Sequence, residues 1–163
     1  MADSFEEIVK GERVLRRPPD ARHEAICDRL HTRVSQSVER VNTTRLLSPR
    51  SVVQLDAGTL VRPDLALITV ATGKLWLAAE IVNTSDHRID TVMKKQVYEE
   101  INLTRLWMID PRYDNVEVYH ASQYGLMLKG ILASRELLRE ELLPQFEITI
   151  TDLFGLPRNQ PNT

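Results

Sequence analysis

A single α/β domain, with a central mixed β-sheet flanked by helices, is what the order of hydrophobic periodicities predicts. Ile26, Leu30, Val34, Val38 and Val41 recur at three- and four-residue intervals, the spacing of an amphipathic helix. Two apolar runs follow, 65–70 and 75–82, separated by Thr72-Gly73-Lys74, which reads as a hairpin loop between buried strands. A second helical stripe and a further apolar run over 106–109 then interleave helix with strand.

Length and charge bound the class. The 163 residues suit one domain; at about 150 residues a chain buries roughly two-thirds of its unfolded surface, so no disulfide or structural metal is needed for folding. With 42% hydrophobic and 27% charged residues, the composition is that of an ordinary globular protein. The formal charge of -2 supplies no overall positive field toward nucleic acid or an anionic membrane. That argues against a protein that coats DNA, but not against an enzyme with a local basic groove. Cys27 stands alone, reads as a small buried hydrophobe and fits a reduced, cytoplasmic setting. The opening MADSFEEIVKG lacks the apolar core of a signal peptide, and no run approaches the ~18 apolar residues of a membrane span.

In chain order, residues 1–19 read as a leader. Phe5, Ile8 and Val9 are expected to pack a brief helical turn onto the body before Arg16-Arg17-Pro18-Pro19 breaks regular structure. The domain proper is predicted over 20–156, and a polar, flexible tail over 157–163. The first long helix carries Arg29, Arg33 and Arg40 beside Asp28 and Glu39 on its other face, mixed charge that reads as solvated. Val52, Val53 and Leu55 make a short strand before an Ala57-Gly58 turn. The second helix is predicted over about 89–101, with Ile89, Met93, Val97 and Ile101 as its apolar stripe and Asn102 at its end. Beyond the 106–109 strand and Asp110-Pro111, a meander is expected over 116–119 and 124–128. A short helix over 137–143, stopped by Pro144, and a last strand carrying Phe146, Ile148 and Ile150 complete the pattern.

The candidate chemistry lies in the middle of the chain. Asp64 follows Pro63 at the head of the first apolar run, and Glu80 stands near the end of the second, so antiparallel pairing brings the two side chains close. Partly buried carboxylates repel, and one takes up a proton unless a cation is present. Paired hard oxygen donors with room for water and phosphate suit Mg²⁺, with Mn²⁺ able to substitute. Such a metal polarises a phosphoryl oxygen and activates water. Lys94 would add a point positive charge near developing phosphoryl charge, and Asp90, one helical turn earlier, would pin that lysine or touch the metal shell. Each feature alone has an ordinary reading: Pro-Asp is common turn chemistry, and Asp90 with Lys94 is a common surface ion pair. Glu80 differs, because it interrupts an apolar run where a lone carboxylate costs several kcal/mol; it must be paired, metal-bound or protonated.

As an ordered set these residues resemble the PD-(D/E)XK nuclease superfamily, and within it the Uma-two group of bacterial restriction-endonuclease-like proteins. Pro63-Asp64 matches the group's first strand and Glu80-Ile81-Val82 the end of its second. Asp90, Lys94 and Tyr98 match its helix, and Leu106-Trp107-Met108-Ile109-Asp110-Pro111 the strand beyond. The resemblance covers roughly 20–155 and implies a restriction endonuclease-like fold with Mg²⁺-dependent endonuclease activity on DNA. It implies Asp64, Glu80 and the backbone carbonyl of Ile81 as metal ligands, Lys94 as the catalytic lysine, and Asp90 and Glu24 in support. Arg62 and Arg88 flank the acids as phosphate contacts. Two departures stand out. Asn83-Thr84-Ser85-Asp86 replaces the group's usual Ser-Pro-Ser-Thr, adding an acid beside the site. Val82 occupies the superfamily's lysine position, and Lys94 appears from the helix in its place.

Two other classes of function stay open from the residues. One is a catalytically inactive nuclease-fold protein acting as a DNA-binding or protein-assembly module, suggested by the altered loop and the slightly acidic charge. The other is a subunit that joins copies of itself, as a homodimer or higher homo-oligomer, through an exposed sheet edge in the strand-rich C-terminal half. His31 and His120 lack metal-ligand spacing to Cys27 or to each other, and there is neither a phosphate-binding glycine loop nor a nucleophile elbow.

Overall fold

Two strands stand where a leader with a helical turn was expected. In the computed structural model, which describes residues 3–157, β1 (Phe5–Val9) and β2 (Glu12–Arg16) form an antiparallel hairpin. Its two-residue turn is Lys10-Gly11, with φ of 51° and 81°; positive φ at both positions matches the twist of the flanking strands. Glu7 and Val9 are the buried positions of β1. An acid at one of two inward places is what hid the alternation. From Asp20, whose side chain accepts from the His23 N–H, α1 (Ala21–Val38) runs as predicted.

Strand β3 (Thr44–Leu46) leads to the hairpin of β4 (Val53–Asp56) and β5 (Thr59–Val61), which joins the N-terminal hairpin in a four-stranded sheet of order β2-β1-β5-β4. The central sheet holds β6 (Leu65–Thr69), β7 (Leu75–Ile81), β8 (Arg105–Asp110), β9 (Asn115–Ser122) and β10 (Gly125–Ala133), in the order β10-β9-β8-β7-β6-β3. It is mixed: β7 and β8 pair in parallel, and the other pairs are antiparallel.

Alternation along β7 sorts the molecule into two layers. Leu77, Ala79 and Ile81 enter a cluster with Ile26, Leu30 and Val34 of α1, whereas Ala78 and Val82 enter another with Tyr98 and Leu103. Strand β8 repeats the pattern, with Trp107 and Ile109 on the α1 side and Leu106 and Met108 on the other. Trp107 is fully buried and stacks on Phe146 with ring centroids 5.5 Å apart. Trp107→Ala is therefore expected to cost about 3–5 kcal/mol in urea unfolding, and a loss below about 1 kcal/mol would show that the face can collapse around the gap.

The C-terminal part departs from expectation. Residues 137–143 are good helix formers, yet β11 (Leu137–Arg139) pairs with β12 (Glu147–Thr149), setting buried Leu138 opposite buried Ile148. Burying that pair outweighs helix propensity. Ile150, expected in the last strand, instead opens α3 (Ile150–Phe154), which Thr149 caps through the Asp152 N–H. The arginine face of α1 is less free than its mixed charge suggested: Arg29 donates to the Leu153 carbonyl and Arg33 to that of Glu147, fastening the C-terminal segment. Of the expected tail, residues 158–163 lie outside the described residues.

Candidate active site

The β6–β7 register runs Leu65 opposite Ala79, which leaves Asp64, just ahead of β6, beside the end of β7, where it shares a cavity lining with Glu80 and Ile81. Alternation turns Glu80, between Ala78 and Val82, toward the second helical layer rather than toward α1. That layer begins as a π-helical turn, Ile89–Lys94, and continues as α2 (Lys95–Glu100). The wider turn changes which residues face inward. Asp90 and Lys94 are buried, while Ile89 and Met93, expected in the apolar stripe, are half-buried. Such π segments in helices often accompany functional sites.

Lys94 sits between two acids. Its Nζ is 2.6 Å from Glu80 Oε1 and 2.8 Å from Glu7 Oε2. The Tyr98 hydroxyl also donates to Glu80 Oε1, at 2.6 Å. Asp90 was expected to pin Lys94 or touch the metal shell, but Arg16 grips it: Arg16 Nη2 donates to both carboxylate oxygens at 2.9 Å, and the Asn83 N–H adds a bond of 3.0 Å. The same guanidinium reaches Glu7 at 2.6 Å and Asp86 at 3.1 Å. Asp86, the acid of the altered loop, is thereby neutralised by the hairpin.

Helix α1 holds Asp64. His23 Nε2 lies 2.8 Å from Asp64 Oδ1, His31 Nε2 lies 2.7 Å from its carbonyl, and the Cys27 thiol points at that carbonyl from 3.7 Å. These residues fall at i, i+4 and i+8, one stripe of the helix. The Ile81 N–H donates to Asp64 Oδ2 at 2.8 Å, and Arg50 reaches Oδ1 at 3.2 Å. Glu24 touches Arg50 at 2.7 Å and so meets Asp64 only through that arginine. Arg62 lines the cavity beside the acids, whereas Arg88 is exposed before the π-helical turn and outside that lining.

Charge is unbalanced in this cluster. The carboxylates of Glu7, Asp64, Glu80, Asp86 and Asp90 outnumber the permanent cations of Arg16, Arg50 and Lys94 that touch them. Burial raises Glu80 to a pKa of about 8, reinforced by Asp90, Glu7 and Asp64 and opposed by Lys94. Asp64 goes the other way: burial disfavours its charge, but His23, the Ile81 N–H and Lys94 hold it below the usual carboxylate range. Glu7 is likewise lowered, as Lys94, the Arg62 N–H and Arg16 outweigh its burial. Burial works against the Lys94 ammonium, yet Glu80, Glu7 and Asp90 raise its pKa, so it stays charged. His23 is raised because Asp64 outweighs its burial.

A cavity of about 10 Å³, room for about one water, opens among Asp64, Glu80, Ile81, Lys94 and Arg16. Beside it, a groove of about 290 Å³ shares Arg17, His23 and Asn83 with that lining and continues past Arg22 and Thr84. Surplus negative charge on hard oxygen donors suits a divalent cation between Asp64 and Glu80. Among the described residues, no group of three His, Cys, Asp or Glu side chains is disposed to hold a metal. Water and phosphate oxygens would therefore have to complete the coordination, as Mg²⁺ commonly requires.

Glu7 and Arg16 were not legible as site residues, since both lie in the stretch read as a leader. Arg50 was also missed; it has a φ of 57° in the loop before β4, where local pattern carries no signal.

A mixed sheet with helices on both faces, and with acids and a lysine gathered where β6 and β7 meet the following helix, has the restriction endonuclease-like fold. The chain belongs to the Uma2 family, described as "Putative restriction endonuclease", whose profile matches residues 3–151 and so includes the N-terminal hairpin. The fold is similar to the crystal structure of "a putative nuclease belonging to DUF820" from Anabaena variabilis ATCC 29413. The TM-score is 0.76 at 16% identity, over 92% of this chain and 89% of that chain. No curated protein matches the chain. Among the described residues, no helix is long and apolar enough to cross a membrane.

Proposed function

We propose that this protein is a metal-dependent endonuclease that hydrolyses phosphodiester bonds in DNA. The observation that carries the reading is the joining of Asp64, Glu80 and Lys94 around one small cavity at the edge of an open groove. Asp64 and Glu80 would hold Mg²⁺ or Mn²⁺, with the backbone carbonyl of Ile81 as a further ligand. The bound ion supplies Lewis acidity toward the phosphoryl oxygen and lowers the pKa of water. Lys94 acts through charge rather than as a base, because its carboxylate neighbours keep it protonated; it stabilises charge that develops on the phosphoryl group. His23 helps to keep Asp64 ionised, and His23 and Arg50 together orient it. Arg62 at the cavity and Arg17 in the groove stand where a phosphate backbone would approach, with Arg88 a contact farther out.

The test is cleavage of supercoiled plasmid, single-stranded DNA and RNA with Mg²⁺, with Mn²⁺ or with EDTA. Nicking of DNA is expected with either metal and none in EDTA. Undiminished cleavage in EDTA would sink the metal requirement, and activity on RNA alone would sink the choice of substrate.

One observation favours a second reading, a nuclease fold kept as a DNA-binding or assembly module. The acids are already engaged by Arg16, Arg50, His23 and Lys94, and the cavity between them admits little more than a water. Under that reading, calorimetric titration with Mn²⁺ gives no binding heat and no substrate is cut.

A further inference from the structure

We propose that Glu7 is a positioning residue that holds the Lys94 ammonium at the reaction centre, which makes the N-terminal hairpin part of the catalytic apparatus. The inference rests on the nuclease reading above and adds to it a residue on an element that sequence pattern assigned to a leader. Lysine carries its charge on a flexible four-carbon stem, so a catalytic ammonium needs partners that fix it. Among the described residues Lys94 has two, and they differ. Glu80 lines the cavity and is also claimed as a metal ligand, so its oxygens are shared. Glu7 is 1% exposed, and its other contacts are with the protein: Oε1 accepts from Arg16 at 2.6 Å, and Oε2 accepts from the Arg62 N–H at 2.7 Å as well as meeting Lys94 at 2.8 Å.

That carboxylate is anchored at both ends. Strand β1 pairs with β5 at Ile8 and Leu60, the Gly11 N–H donates to the Gly58 carbonyl at 2.8 Å, and Lys10 bridges to Glu100 of α2 at 2.7 Å. The hairpin is thus tied to the end of the helix whose preceding turn carries Lys94. Glu7 holds the ammonium from behind while Glu80 and the substrate meet it from the cavity side.

The experiment compares wild type, Glu7→Gln, Glu7→Asp and Glu80→Gln by three readouts: nicking kinetics with Mn²⁺, calorimetric Mn²⁺ titration, and the side-chain ¹⁵Nζ signal of Lys94. Glutamine keeps the volume and one acceptor oxygen of Glu7; far-UV circular dichroism checks that the variant is folded, and Glu7→Asp, which keeps the charge, carries the comparison where it is not. Glu7→Gln is expected to lower kcat on the order of 10- to 100-fold, as a misplaced catalytic group does, with KM unchanged. Its Mn²⁺ affinity stays at the wild-type value, whereas Glu80→Gln loses it. The slowly exchanging Lys94 signal of wild type shifts or vanishes, and Glu7→Asp restores part of both kcat and signal. Wild-type kcat in Glu7→Gln, or loss of Mn²⁺ binding equal to that of Glu80→Gln, would overturn the proposal. If wild type itself cuts nothing, the nuclease reading fails on its own; an unchanged Lys94 signal in Glu7→Gln would then overturn the positioning claim separately.

Discussion

Lys94→Met is expected to lower DNA cleavage on the order of 10²- to 10³-fold, the range seen when a preorganised charge is removed from a reacting centre. The side chain is fully buried, so methionine fills nearly the same space and the loss reports the charge. Without the ammonium, Glu7 and Glu80 face each other across the gap it leaves, still joined by Asp64 and Asp90 nearby. Removing one partner of a buried ion pair costs about 3–5 kcal/mol, because the remaining charge is left unpaired. Glu80 limits that cost by taking a proton, so the destabilisation should be smaller at pH 6 than at pH 9. Single-turnover cleavage and urea unfolding at the two pH values check both arms. Full activity in a folded Lys94→Met protein would remove Lys94 from the mechanism, whatever its place in the cluster.

How far the cluster was legible in the sequence follows from the range of each signal. Glu80 could be picked out because it interrupts an apolar run, where a lone carboxylate is costly; Asp64 and Lys94 stood out only through their spacing in the ordered set with it. Their partners carried no such mark. Glu7 lies in a five-residue strand whose inward positions are an acid and a valine, so neither helix nor strand period was visible. Arg16 stands beside Arg17 and two prolines and read as a breaker, although it joins Glu7, Asp86 and Asp90. These contacts span 9 to 74 residues of sequence, which no local window records. The helix after Asn83 was found, but not its π-helical start. That start decides that Asp90 and Lys94, rather than Ile89 and Met93, face inward. Over 137–143, strong helix formers were overruled by the pairing of Leu138 with Ile148, a tertiary choice invisible to propensity.

In the metal-free protein, stability should fall as pH rises from about 5 to about 8.5, and Glu80→Gln should flatten most of that fall. The folded pKa of Glu80 is about 8, against an ordinary 4.5, so between these values the folded chain holds a proton that the unfolded chain has released. The stabilisation is complete below 4.5 and is lost as pH climbs through about 8. At about 1.4 kcal/mol per pH unit the effect is at most several kcal/mol. Asp90, raised chiefly by its burial, and His23, raised because Asp64 outweighs its burial, work in the same direction from their ordinary 3.8 and 6.5 upward and leave a residual slope in the variant. Glu7 and Asp64 are lowered, so their contributions vanish only on acidification below the carboxylate range and do not enter this window. Above pH 8 an ionised Glu80 faces Asp64, Asp90 and Glu7, the state in which a divalent ion gains most. Mg²⁺ at about 100 times its Kd would return about 2.7 kcal/mol there, and less at pH 6, where the ion must first displace the proton. Thermal unfolding of wild type and Glu80→Gln, with EDTA or Mg²⁺ at both pH values, separates the two effects. An equal pH slope in the two proteins would mean that Glu80 titrates near its ordinary value, and that Lys94 alone neutralises it.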